Sequence, residues 1–220
     1  MDVSRQDPRA NQKERTRTAI VDAAHALMRD GTRPTVQAAA EAAKVSRATA
    51  YRYFPTQEAL VTEVMSVSPA TAMVDPMLEA LTTDDPKERL LALLDLCNPL
   101  LLRDEARYRA ALRIYLDTWF QARADGAADE DKTPRVRAGR RMRWLDEALL
   151  PLRDRLSEPA WRRLRCALAL TTGIDSMVVL RDVCGVENDE ELLDVLRWTA
   201  LAILDAAKRE MDAPPVKDVR

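Results

Sequence analysis

At 220 residues the chain is long enough to bury a working core, either as one large domain or as a small one followed by a medium one. Its composition, 47% hydrophobic and 32% charged with only 5 glycines, favours helix over strand and leaves little room for a glycine-rich nucleotide cradle. The net charge of −2 conceals an asymmetry, because residues 1–57 hold ten Lys/Arg against six Asp/Glu; a basic head on an acidic body points to a polyanion partner for the head alone.

Residues 1–12 lack apolar periodicity and read as a flexible arm. Ile20, Ala23, Ala24, Leu27 and Met28 then recur at three- and four-residue steps, which predicts a first helix from Glu14 to Arg29, ended by Asp30-Gly31. A short helix from Thr35 to Ala42 follows, with the Thr35 hydroxyl as cap and Pro34 fixing the approach. Ala43-Lys44-Val45 is a tight turn, and Ser46 caps a third helix, Arg47 to Phe54, which stops at Pro55. A fourth starts at Thr56 with Leu60, Val61 and Val64 on its inner face.

Beyond Pro69 the helices lengthen. Asp85-Pro86-Lys87-Glu88 combines a capping aspartate, a first-position proline and a reciprocal glutamate, opening a helix that reaches Asn98 and breaks or kinks at Pro99. The next spans Asp104 to Ala124, and the acidic residues 125–132 form an exposed loop. Thr133-Pro134 opens a helix that is basic at first (Arg135, Arg137, Arg140, Arg141, Arg143) and runs to Leu156 with an interruption at Pro151. Ser157 caps another that continues to Cys184 and closes at Gly185; Asn188 and Glu191 box the start of the last, whose face is Leu193, Leu196, Ala200, Ile203 and Ala207. The fold class expected is all-α: a flexible arm at 1–12, a three-helix helix-turn-helix domain at 13–57, a helical domain at 58–212 and a flexible tail at 213–220.

Cys97, Cys166 and Cys184 are odd in number and far apart, no secretory leader is read, and His25 is the single histidine. A reducing cytoplasm and buried free thiols fit; a zinc site does not, and no cofactor is expected. Neither HExxH nor GxSxG nor a Cys-His pair is present, which argues against an enzyme.

A helix, a short turn and a second short helix make the unit whose second member enters the major groove of DNA. Along Ser46–Phe54, Arg47, Thr49 and Arg52 offer donors to bases or phosphates, Ala48 and Ala50 permit close approach, and Tyr51 and Tyr53 offer phenolic hydroxyls. The stretch TVQAAAEAAKVSRATAYRYFPTQEAL resembles the helix-turn-helix signature of TetR-family regulators, with the resemblance good over residues 14–62. Three positions depart from it. Lys44 stands where glycine is usual, Ala39 replaces a larger aliphatic, and Gln57 replaces a phosphate-binding lysine, for which Lys44 is a partial substitute. The resemblance implies that Arg47 and Thr49 read bases, that Thr35, Ser46, Tyr51 and Tyr53 bind phosphates, and that Lys13, Arg15 and Arg17 flank the groove.

It implies further a homodimer on double-stranded DNA with a palindromic operator, because one short reading helix offers few base contacts. The last two long helices, 158–184 and 189–210, would pair across subunits, with Trp161, Leu164, Leu168, Val178, Leu196, Ala200 and Ile203 as interface candidates or as plain core. The central helices would enclose a small-molecule effector among Tyr108, Tyr115, Trp119, Phe120, Met142, Trp144 and Met177, whose alternative role is again core. Such an inventory suits an apolar or aromatic molecule, or an anionic one if Arg113 or Arg143 turns inward. The function expected is a ligand-released repressor. The alternatives are a helical adaptor that has lost DNA binding and, through residues 135–143, a peripheral membrane protein.

Overall fold

The computed structural model describes residues 8–32, 34–66, 69–124 and 139–212. These form helices α1 (Pro8–Arg29), α2 (Val36–Ala42), α3 (Arg47–Tyr53), α4 (Gln57–Ser66), α5 (Pro69–Ala80), α6 (Pro86–Arg103), α7 (Glu105–Ala124), α8 (Arg140–Ala148), α9 (Glu158–Leu168), α10 (Ile174–Val178) and α11 (Asp189–Asp212), with no strand among the described residues. The fold is all-α, as the composition demands. The loop expected at 125–132, the helix start at Thr133-Pro134 and the tail at 213–220 lie outside the described residues, as do residues 1–7 of the arm. Residues 8–12 of that arm are helical: Pro8 opens α1 at a position where its missing N–H costs nothing, and Ala10 and Gln12 are good helix formers.

The chain divides into two compact units, one of α1–α4 with α7 and the other of α5, α6 and α8–α11. The first, the head, packs Ile20, Ala24 and Met28 of α1 against Val36, Ala39 and Ala40 of α2, Ala50 of α3 and Phe54. Leu60, Val61 and Val64 of α4 and Ala111 and Ile114 of α7 complete that core. The head thus takes in two helices that the sequence reading assigned to residues 58–212, because each contributes a buried apolar stripe to it.

In the second unit the core is built from Leu90, Leu93, Leu145, Trp161, Leu164, Leu168, Leu192, Leu196, Ala200 and Leu204. Three local expectations are corrected there. The helix expected to end at Asn98, where Pro99 breaks or kinks it, is not broken and runs on to Arg103, since a proline removes one hydrogen bond while Leu101 beyond it is buried. Asp85 does cap α6, its Oδ1 accepting from the Lys87 N–H at 2.9 Å, but Glu88 accepts from the Thr83 hydroxyl instead of returning to the cap.

The third correction concerns residues 158–184, expected as one helix. After α9 the chain tightens into a 3₁₀ turn at Ala169–Thr171, breaks at Thr172-Gly173, and resumes as α10 followed by a π turn at Val179–Val183. The cause is tertiary. Asn98 on α6 donates to the Thr171 carbonyl at 3.1 Å and accepts from the Thr172 hydroxyl at 2.8 Å, which takes up backbone that a continuous helix would need. Gly173 sits at φ +99° with the Arg141 guanidinium in the space a Cβ would fill, so no other residue fits without displacing that arginine.

Arg89 is buried and its fork donates to three carbonyls, Ala148 at 3.2 Å, Glu147 at 2.9 Å and Thr83 at 3.2 Å. It closes the C-terminus of α8 and the lead-in to α6 together. Arg89→Ala leaves those acceptors unpaired and is expected to cost about 3 kcal/mol in denaturant unfolding. Arg89→Lys recovers little, because an ammonium cannot reproduce the planar fork.

Candidate nucleic-acid interface

The reading element is built by two caps and one turn. At the start of α2 the Thr35 Oγ1 accepts from the Ala38 N–H at 3.0 Å, and at the start of α3 the Ser46 Oγ accepts from the Thr49 N–H at 3.1 Å. Each satisfies an N–H that the helix itself leaves unpaired. Between them the Val45 N–H returns to the Ala40 carbonyl at 3.0 Å and the Lys44 N–H to the Glu41 carbonyl at 3.1 Å, a Schellman closure. Lys44 occupies its left-handed position at φ +57°, the only non-glycine with positive φ among the described residues. The substitution noted in the sequence is therefore carried as backbone strain, not relieved by a different turn.

Only Ala50 of α3 is buried. Ser46, Arg47, Ala48, Tyr51 and Arg52 are exposed, Thr49 and Tyr53 half-buried, and Tyr53 packs against the head core with the Arg52 guanidinium 5.6 Å from its ring. Lys44 is exposed beside them, as are Lys13 and Arg15 on α1. Thr35 is half-buried in its capping bond. Arg17 is differently placed: it pairs with Glu63 at 2.6 Å and lies 5.8 Å from the Phe54 ring centroid, so it joins α1 to α4 inside the head. Gln57 Nε2 is buried with no hydrogen-bond partner among the described residues, which leaves the missing lysine without a substitute at that position.

Two groups escaped the sequence reading. Glu41 on α2 accepts from both Gln37 Nε2 and Arg47 Nη2, each at 3.1 Å to the same oxygen. Those two bonds, Gln37 first and Arg47 second, hold the Glu41 carboxyl below its ordinary range. The four-residue spacing of Gln37 and Glu41 was visible in the sequence; the contact across the turn to Arg47 was not. The second group is Arg107, almost wholly buried on α7, with Nη1 2.9 Å from His25 Nε2 on α1 and Nε 3.0 Å from Asp104 Oδ2. Beside it lies a cavity of about 230 Å³ lined largely by polar and charged residues, among them Glu14, Arg17, Asp22, His25 and Glu63.

None of the seven effector candidates lines that cavity. Tyr108 and Tyr115 pack on the head core, and Trp119, half-buried, meets the exposed Phe120 edge-on with ring centroids 5.1 Å apart. In the second unit Met142 is half-buried, Trp144 is buried and donates to Asp75 Oδ1, and Met177 is fully buried. Of the interface candidates, Trp161, Leu164, Leu168, Leu196 and Ala200 fill the chain's own core, while Val178 and Ile203 are half-buried. On residues 158–212 the large apolar residues left in solvent are Leu170, Val179, Val183 and Trp198, the last 70% exposed. Of the thiols expected to be buried, Cys97 is, whereas Cys166 and Cys184 are exposed. Among the described residues no three His, Cys, Asp or Glu gather where a metal would bind, and no helix is long and apolar enough to cross a membrane.

Residues 20–64, from α1 through both caps and the turn to α4, match the family model of the bacterial regulatory proteins, tetR family. That similarity covers the helix-turn-helix segment of the head alone. The match and the helix-turn-helix geometry make α3 the candidate reading helix. A crystal structure from Mesorhizobium loti, assigned to the TetR-family transcriptional regulators, shares the fold, with a TM-score of 0.52 and 20% identity over 88% of this chain and 97% of that one. No curated protein matches the chain.

In this head Lys44→Gly is expected to raise stability by about 1 kcal/mol by removing the left-handed strain. The same change lowers the salt slope of DNA binding by about one unit if Lys44 meets a phosphate. Chemical denaturation and salt titration measure the two effects separately. For Glu41 the depressed carboxyl gives a definite sign: its contribution is present above the unfolded-state value and is lost as pH falls through the folded-state one. NMR titration is expected to show its midpoint below that of free glutamate, rising in both Gln37→Ala and Arg47→Ala.

Proposed function

We propose that the chain is a repressor that binds a palindromic operator as a homodimer and is released by a small apolar or aromatic effector. The observation that carries the reading is α3 itself: one buried alanine anchors it, and Arg47, Thr49, Tyr51 and Arg52 are left for DNA. Arg47 and Thr49 read base edges from its first turn. Ser46, Tyr51 and Tyr53, with Thr35, Lys44, Lys13 and Arg15 around them, meet phosphates. Arg17 supports the head from within.

So short a helix reads few base pairs, and a second copy about one DNA turn away supplies the remaining specificity. Trp198 on α11, 70% exposed, supports a subunit contact through that helix, in place of the residues that fill the protomer's core. Trp119 and Phe120 on α7 support an apolar or aromatic effector. A difference of a few kcal/mol in effector affinity between DNA-competent and incompetent conformers is enough for release. The protein acts where its DNA lies, in the cytoplasm, without catalysis and without a cofactor. The adaptor reading draws on Gln57 and on the commitment of Arg17 to Glu63, both of which remove charged anchors.

Selection of bound duplexes from a random pool tests this. The expected result is an enriched palindrome with half-sites about one helical turn apart and affinity falling steeply in salt. Trp198→Glu is expected to give a monomer by light scattering with at least a tenfold loss of operator affinity. No enrichment by the dimeric wild-type protein would favour the adaptor.

A further inference from the structure

We propose that Glu41 is a positioning residue for base recognition: held by Gln37, its carboxylate fixes the Arg47 guanidinium at the first turn of α3 and so sharpens the choice of base. The proposal rests on α3 being the reading helix and assigns a specificity-determining role to α2. Arg47 is the first residue of α3, and the N-terminal residues of a reading helix are those that reach base edges. Arginine discriminates a base by a planar two-pronged contact, which demands a fixed orientation of a long and flexible side chain.

The structure supplies that orientation from two directions. Arg47 Nη2 lies 3.1 Å from Glu41 Oε1, across a turn whose length is set by the Schellman closure and by Lys44 at φ +57°. Gln37 Nε2 donates to the same oxygen from one helical turn earlier, also at 3.1 Å, so the carboxylate is held by a second donor besides the arginine. The Glu41 and Arg47 side chains are 61% and 62% exposed, and an ion pair that open to water adds little to folding. Its consequence falls on the DNA side. A carboxylate beside the reading helix repels phosphate and occupies one face of Arg47, which weakens binding to any sequence more than binding to the one that satisfies the guanidinium.

The test is selection and competition binding with wild type, Glu41→Ala, Gln37→Ala, Arg47→Ala and the Glu41→Ala/Arg47→Ala double variant, with thermal melting of each. Glu41→Ala is expected to lower discrimination at the base pair read by Arg47 about two- to fivefold, the span of an exposed pair. The same change tightens binding to random duplex and steepens its salt dependence, with the melting temperature unchanged. Gln37→Ala shifts discrimination in the same direction by less. In the Arg47→Ala background, Glu41→Ala has no further effect on base preference.

A uniform loss of affinity for all sequences together with a lower melting temperature would make Glu41 merely structural. An equal shift with and without Arg47 would make it a base reader in its own right, which also overturns the positioning role. If wild type enriches a palindrome and Glu41→Ala enriches it with the same profile, this proposal fails alone. If wild type enriches nothing, the DNA-reading function fails first.

Discussion

A seven-residue helix is not stable by itself in water, so α3 exists only where the head holds it. The hold is small: Ala50 inside the helix and Phe54 at its end are the buried points, set against Ala39 and Ala40 of α2. Alanine at these positions lets the two helices approach closely without a large side chain between them. The Ser46 cap and the strained Lys44 turn then fix direction and register. Because so few of its residues are used for packing, most of the surface of α3 remains available for recognition.

That constraint explains how charge is distributed in the head. Arg17 and Arg107 are drawn into the structure, one to Glu63 and Phe54, the other to His25 and Asp104, and both tie α1 to the helices that pack on it. Net basicity thus overstates the number of cations free to meet phosphate. Those left in solvent around the reading element are Lys13, Arg15, Lys44, Arg47 and Arg52, and of these Arg47 is already engaged by a carboxylate. Charge counts indicated a polyanion partner; which arginines serve it is decided by packing.

Legibility in the sequence followed the range of the interactions concerned. The helix-turn-helix was readable almost to the residue because its boundaries are set by local chemistry: Thr35 and Ser46 cap through the third N–H onward, and Pro55 stops α3. At Lys44 the sequence left two outcomes, a left-handed lysine or an altered turn, and the structure takes the first. The break at Thr172-Gly173 was not, because Asn98, more than seventy residues away, takes the backbone groups of Thr171 and Thr172. Nor was the role of Arg89, whose three acceptors come from two separate segments. The 3.6-residue periodicity placed Leu196 and Ala200 on the apolar face of α11 but set Leu193, Ile203 and Ala207 with them, where the structure buries Leu192 and Leu204, and it could not say that the face turns toward the chain's own core, leaving Trp198 outside.

The claim on which the account turns is that α2, the Lys44 turn and α3 form the DNA-contacting surface. Hydrogen–deuterium exchange of the full chain with and without a duplex at low salt tests it most directly, since it needs neither the operator nor the effector. Protection on binding is expected across residues 35–54 and at the exposed basic positions of α1. Protection elsewhere, with residues 46–53 exchanging as in the free protein, would contradict it.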